Sequence, residues 1–376
     1  MRVIARMNVG GPAVQISGLM RRLDSREFDH RLYTGFCSAE EADFLNISAL
    51  DISATRILSL GRRISLGKDF SAFLSLVREI RMFKPHIIHT HTAKAGFLGR
   101  IASIFSLQPS IRVHTFHGHL LNGYFGPIKR QLVIFAERLL ARFTHHLLAV
   151  GKQVREDLLA EKIGRTEKFS VMPPGLEIGL LPNKVATLES YHLSTSRLHC
   201  AYIGRVTNIK RPDRFLDVVS EVKRRGIPLD FFIAGDGQLL DFCRERISRE
   251  QLPVTVLGWQ GEIERVLAAA DMVVLTSDNE GTPLSLIQAG MAGLPVVATR
   301  VGSVSEVILD GETGIITNFD VIEIANALER LANDQALRNL MGQRAKEFTL
   351  NKFGLKQFVK LHVELYKRLL SNQAKF

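Results

Sequence analysis

Glu280 and Gln288 stand eight positions apart in the stretch SDNEGTPLSLIQAGMAGLPVVAT, residues 277–299, the acid in a loop and the amide inside a helical pattern. Thr282 has the chemistry of a helix N-cap and Pro283 that of a first helical residue. The amides of Leu284 and Ser285 would then be left unpaired at the positive end of a helix dipole. Such a helix start attracts an anion, but a carboxylate at its rim repels a phosphate in contact. The partner that suits Glu280 is neutral and rich in hydroxyls, such as a sugar. Gln288, about a turn and a half into the helix, would line the same mouth, with Leu284, Ile287 and Met291 packed inward. In GRVTNIKRPD, Arg205 and Lys210 lie five apart after a strand, a planar fork and a point charge suited to a diphosphate. Gly10 and Gly11 in NVGGPA occupy the first strand-to-helix turn, where missing side chains allow close backbone approach to phosphate or sugar. Each feature alone also fits a plainer role: an acid complementing a dipole, solvated loop cations, ordinary glycine turns. GDGQ at 235–238 is weaker still.

What joins them is their place in the chain. RVIARM, HRLYTG, HIIHTH, IRVHTF, HHLLAV and KFSVMP in the first half read as strands, as do LHCAYIG, LDFFIAG, VTVLG, MVVLTS, LPVVAT and TGIIT in the second. Segments such as AVQISGLMRRL and FSAFLSLVREIRMF between them carry helical spacing. Strands this uniformly apolar are expected where helices cover both sheet faces. The expectation is an α/β protein with two Rossmann-like, doubly wound parallel-sheet domains, 1–178 and 179–376, joined near MPPGLEIGLLP. The last helix, about 353–370, either closes the second domain or packs back on the first. Ligands of such sheets sit beyond the carboxyl ends of the strands, where every one of these unusual residues falls, so two decorated edges facing each other would form a cleft.

Composition removes several classes. Three cysteines without a C-x-x-C, Cys37, Cys200 and Cys243, supply no disulfide framework or zinc set, which fits a reducing cytoplasm. The N-terminus lacks the apolar core of a secretory signal, and no apolar run approaches the roughly 20 residues that cross a bilayer. Charge is uneven: 25 lysines and arginines face 15 acids in residues 1–178, a net +10, against 24 and 23 in residues 179–376, a net +1. The basic half suits an anionic leaflet, a phospholipid-linked substrate or nucleic acid, or is simply a solubilising surface. Residues 123–143, GYFGPIKRQLVIFAERLLARF, set Lys129, Arg130, Arg138 and Arg142 beside an apolar stripe, as for a helix resting on such a leaflet or for a domain helix with a solvated basic face. His89, His91, His114, His117 and His119 match no metal-binding spacing, and no metal or cofactor is expected. His91 and Lys94 in HTHTAKAG are candidates for binding a second substrate, or for structure.

These motifs resemble the retaining glycosyltransferases of family 4, with the GT-B fold. The resemblance runs from NVGGPA through HTFHGH, VMPPG, GRVTNIKRPD and AGDG to EGTPLSLIQAGMAGLPVVATRVGSVSEVI, the last block being the most specific. It implies sugar transfer from a nucleotide donor, held mainly by the second domain, to an acceptor held mainly by the first. Arg205 and Lys210 are similar to the pair that steadies the donor diphosphate in place of a metal ion. Glu280 is similar to the acid that binds the transferred sugar, and the backbone of Gly281, Thr282, Pro283 and Leu284 would contact sugar and phosphate. His117 resembles the active-site histidine, and Gly10 and Gly11 the loop over the phosphates. Gln288 departs from the pattern, replacing an acid that binds both ribose hydroxyls, which implies weaker donor binding. The resemblance favours a UDP-sugar over a GDP-sugar. With the basic half, it suggests a polyprenyl-linked or glycan acceptor for a cytoplasmic enzyme peripheral to the inner face of the membrane. A nucleotide-sugar epimerase on the same fold and a non-catalytic sugar-nucleotide-binding relic are the alternatives. A nucleic-acid partner is not expected, because no recognition motif accompanies the charge.

Overall fold

The computed structural model describes residues 1–38, 41–61, 64–118 and 127–373. The chain forms two compact units: one of residues Met1–Gly175 together with the helix Leu355–Gln373, the other of residues Leu176–Gly354. The division falls at Gly175/Leu176, and the chain returns to the first unit after completing the second.

Seven strands build the sheet of the first unit: β1 (Arg2–Ile4), β2 (Leu32–Thr34), β3 (Ala54–Arg56), β4 (Ile87–His91), β5 (Ile111–Phe116), β6 (His146–Ala149) and β7 (Phe169–Val171). Their order is β3-β2-β1-β4-β5-β6-β7, with parallel pairing throughout. Every apolar run read from this half is a strand, and β3 is an addition. It is a three-residue edge strand that is not fully buried, so it lacks the apolar signal of its neighbours. The second unit holds β8 (Leu198–Ile203), β9 (Leu229–Ala234), β10 (Val254–Gly258), β11 (Met272–Leu275), β12 (Val296–Thr299) and β13 (Gly314–Thr317), all parallel, in the order β10-β9-β8-β11-β12-β13.

Helices cover the sheets as their periodicity dictates. Ala72, Leu76 and Ile80, four apart on the helix Leu66–Phe83, pack with Val3 and Ile88. Lys84 ends that helix in the left-handed region at φ 49°, next to Pro85, which cannot continue it. Leu19 and Leu23 near the end of the helix Gly11–Arg22 meet Ile111, Val113 and Leu148, and Phe358 and Leu365 of the returning helix join the same cluster. In the second unit, Phe215, Val218, Val219 and Val222 from the helix Pro212–Arg224 pack with Tyr202, Phe231 and Met272. Pro212 opens that helix, with Asp213 in its positive first turn and Lys223 and Arg224 in its last. Strands β11 and β12 are buried along their whole length, which is why they read as unbroken apolar runs.

Each sheet reverses its strand order once, between β1 and β4 and between β8 and β11. A doubly wound sheet opens its crevice at such a switch point, beyond the carboxyl ends of the strands. His91 ends β4, Gly204 and Arg205 follow β8, and Thr276 to Glu280 follow β11.

Candidate functional site

In the second unit, the loops after β8 and β11 are tied together. Lys210 Nζ lies 2.5 Å from Glu280 Oε1, and Ser277 Oγ donates to the same oxygen at 2.6 Å. Glu280 is 8% exposed, so its carboxylate is held by these charge-assisted contacts at the mouth rather than by bulk water. The backbones are joined as well: Asp278 N donates to Ile209 O at 2.9 Å, and Thr276 Oγ1 to Lys210 O and Arg211 O at 3.2 and 3.1 Å. Arg214 braces the pair, donating to Thr276 O at 2.6 Å and to Asp278 Oδ1 at 2.8 Å. Arg205, on the same loop as Lys210, is exposed.

The GDG turn contributes more than its sequence suggests. Val206 N donates to Asp236 O at 2.9 Å and Gly204 N to Ala234 O at 3.1 Å, so this turn holds the loop that carries Arg205. A Cβ on Gly235 would lie 1.8 Å from Gly204 O, and one on Gly237 2.5 Å from Val206 O. Only glycine allows that approach.

The helix after Glu280 starts later than expected. It spans Leu284–Met291 with Pro283, not Thr282, at the N-cap and no side-chain cap. The reason is that Pro283 takes extended backbone, φ −72° and ψ 105°, and its carbonyl accepts from Leu286 and Ile287. Leu284 and Ser285 therefore supply the first-turn amides, as read from the sequence. The inward face is Leu286, Ile287 and Met291, whereas Leu284 is half-buried on the rim. Gln288 is half-buried on this helix, and Ser303 N donates to Gly281 O at 3.1 Å, fixing the turn that precedes it. A depression of about 840 Å3 in this unit, lined by Leu309, Arg344 and Phe348, contains none of these residues.

In the first unit, Gly10 caps the helix Gly11–Arg22, its carbonyl accepting from Ala13 and Val14, and among the described residues a Cβ there would meet only Asn8 O at 3.9 Å. His91 and His117 come together, Nδ1 of the first 2.9 Å from Nε2 of the second. Lys94 forms an ion pair with Asp69 at 2.5 Å, linking the helices Ala93–Phe105 and Leu66–Phe83. His89 meets Tyr366 and Thr115, and His114 meets Thr90, so these imidazoles are bound into the fold. Burial lowers the pKa of His89, His91 and His114 well below the ordinary value, and brings His117 to about 4 and His362 to about 3. His119 and residues 123–126 lie outside the described residues. The described helix Pro127–Phe143 exposes Ile128, Leu132, Phe135, Leu139 and Phe143, spaced three and four apart. Among the described residues, no helix is long and apolar enough to cross a membrane.

Two units of this kind, each a doubly wound parallel sheet, form the GT-B architecture. Anabaena Alr3699/HepE in complex with UDP-glucose superposes with a TM-score of 0.82 at 19% identity, over 98% of this chain and 99% of that one. A sucrose-phosphate synthase from Thermosynechococcus elongatus gives 0.81 at 18% identity, over 99% of both chains. The family model described as glycosyl transferases group 1 matches residues 197–334, and that described as glycosyl transferase 4-like domain matches residues 10–175. The chain belongs to the family 4 glycosyltransferases. Among curated relatives, UDP-Gal:alpha-D-GlcNAc-diphosphoundecaprenol alpha-1,3-galactosyltransferase of Escherichia coli is 27% identical over 93% of this chain and 92% of its own length. Capsular polysaccharide biosynthesis glycosyltransferase CapM of Staphylococcus aureus is 23% identical over 83% and 84%.

Proposed function

We propose that this glycosyltransferase moves a hexose from a UDP-sugar to a polyprenyl-diphosphate-linked glycan acceptor, with retention of anomeric configuration and without a metal ion. The observation that carries the reading is the Lys210–Glu280 pair beyond the β8/β11 switch point. A cation and an acid at one mouth match the two ends of a sugar diphosphate. The diphosphate competes for Lys210 Nζ, with Arg205 beside it, and the sugar hydroxyls replace the lysine on Glu280. Arg205, Lys210 and the amides of Leu284 and Ser285 then stabilise the charge that grows on the departing diphosphate. The backbone of Gly281 to Pro283 lies along the sugar, Gln288 takes a ribose hydroxyl, and Gly10 and Gly11 close over the phosphates. The leaving diphosphate accepts the acceptor's proton on the same face, while His117 binds the sugar. A UDP-sugar donor is supported by the HepE complex and by the donor named for the Escherichia coli relative, and a lipid diphosphate acceptor by that relative's name.

The exposed stripe of the helix Pro127–Phe143 supports a peripheral place on an anionic leaflet. Lys129, Arg130, Arg138 and Arg142 lie on the same helix, with Arg130 and Arg138 paired to Glu161. Sedimentation with vesicles, anionic or neutral, tests this: retention on anionic vesicles alone is expected, and equal recovery in both supernatants refutes it.

Thermal unfolding with UDP, GDP, ADP, dTDP and NAD, each with and without magnesium, tests the donor. Ligand at 100 times its dissociation constant adds about 2.7 kcal/mol, enough to move melting by several degrees. A shift by UDP that does not need magnesium is expected; no shift with any nucleoside diphosphate overturns the donor assignment. Lys210→Ala should lower kcat about 100-fold or more, the cost of one lost donor to developing charge, and unchanged kcat removes Lys210 from the site.

A further inference from the structure

The His91–His117 contact sets a choice that the chemistry of imidazole makes binary. Burial holds both rings neutral, and a neutral imidazole carries one N–H. Two hydrogens therefore serve four nitrogens, and one is used between the rings. The outer nitrogens, His91 Nε2 and His117 Nδ1, are buried and have no hydrogen-bond partner among the described residues. If His91 donates, His117 keeps its hydrogen on Nδ1 and offers a donor. If His117 donates, its Nδ1 is a bare acceptor.

His91 is built to hold still. Its ring stacks on His89 at 4.2 Å, with the planes 30° apart. Arg2 can only donate, and reaches Tyr366 Oη at 3.3 Å. Tyr366 Oη lies 2.6 Å from His89 Nδ1 and Thr115 Oγ1 2.7 Å from His89 Nε2, so the ring under His91 is held at both nitrogens. The next residue, Thr92, is held at φ 64° and ψ 158°, a region nearly confined to glycine. Backbone of this kind costs on the order of 1–3 kcal/mol and persists only where its surroundings over-determine it. A narrow cavity adjoins the two rings, lined by Gln15, Thr115, Phe358 and His362 as well as His91 and His117. His91 is buried and His117 half-buried, so an N–H without a protein partner costs less on His117, which leaves the bare nitrogen on His91.

We infer that His91 is a positioning residue for His117: it donates from Nδ1 to His117 Nε2 and thereby holds His117 as the Nδ1–H tautomer, a donor toward a sugar oxygen. The effect on rate rests on the glycosyl-transfer reading; the tautomer does not. Nitrogen-15 correlation spectra of the full chain, with His117 assigned through His117→Gln, should show Nδ1–H, and an Nε2–H signal for His117 overturns the proposal. In UDP-galactose turnover, followed by UDP release, His91→Phe keeps an aromatic ring but loses the donor. It should lower kcat about 10- to 100-fold with the donor KM within about twofold, the scale of losing a group that orients a reactive imidazole. His91→Asn, whose amide can donate from nearly the same place, should recover most of the loss. A cooperatively folding His91→Phe protein with wild-type kcat overturns the proposal. If wild type turns over no UDP-sugar, the transfer reading fails, and the wild-type tautomer still decides the part of His91.

Discussion

Acidification from pH 8 to pH 5 should destabilise the first unit selectively. The twelve histidines are unevenly placed, with only His192 and His199 in the second unit. In the first, burial lowers His117 from 6.5 to about 4 and His362 from 6.5 to about 3. A lowered folded pKa means that, below 6.5, the unfolded chain binds protons the folded chain refuses. Stability is therefore full above about pH 7.5 and falls as pH drops through 6.5 toward the folded values. At pH 5 each of these two groups is 1.5 pH units below its unfolded pKa and still neutral when folded, a loss of about 2 kcal/mol apiece. About 4 kcal/mol is a large part of the 5–15 kcal/mol that holds an ordinary domain together, and corresponds to roughly 8–16 °C in melting temperature at this size. His89, His91 and His114 shift in the same direction and add to the loss. The one tryptophan, Trp259, is in the second unit and reports on it, while far-ultraviolet circular dichroism follows both. At pH 5 a dichroism transition should separate and precede the Trp259 fluorescence transition. His362→Phe should flatten the pH dependence by about one proton. If Trp259 and the dichroism lose stability together, or if neither moves by more than about 2 °C between pH 8 and pH 5, the reasoning is wrong.

Gln288→Glu should lower the donor's KM about fivefold, the gap of roughly 1 kcal/mol between a neutral and a charge-assisted hydrogen bond to ribose, measured by UDP release at fixed acceptor. Arg100 and Glu137 are 1% and 3% exposed and meet at 2.7 Å, so Glu137→Leu should cost about 3–5 kcal/mol in urea unfolding by stranding a buried charge. Adding Arg100→Met should recover most of that loss, and additive losses would contradict the assignment. Gly235→Ala should displace the Arg205 loop, because its Cβ would sit 1.8 Å from Gly204 O; raised donor KM together with reduced stability is expected, and wild-type values for both would show that the turn can yield.

Much of the architecture is legible in the chain because parallel strands covered on both faces must be apolar throughout. β11 and β12 announce themselves, whereas the short and incompletely buried β3 does not. Arg205, Lys210 and Glu280 are legible because cations, an acid and glycines recur after strand ends. What these residues touch is another matter. No periodicity shows that Lys210 reaches Glu280, that Lys94 is taken by Asp69, or that GDG braces the Arg205 loop. Those pairings depend on distances across elements remote in sequence. The helix start moved from Thr282 to Pro283 because capping preference is local and weak, while this turn is fixed from outside, by the bond from Ser303 to Gly281. Thr92 gave no signal at all, since a threonine before a helix ordinarily reads as a cap.

The returning helix Leu355–Gln373 carries a consequence for biosynthesis. Phe358 and Leu365 complete a core begun by Leu19 and Ile111, and Tyr366 completes a network begun by Arg2 and His89. On a ribosome adding about 5–20 residues per second, the second unit is finished and able to fold while the first still lacks one layer. For roughly 10–40 seconds, taking that synthesis rate over the intervening stretch, the nascent chain holds an apolar groove waiting for its own later segment. Apolar surface exposed in this way is prone to aggregation until the helix Leu355–Gln373 arrives to cover it.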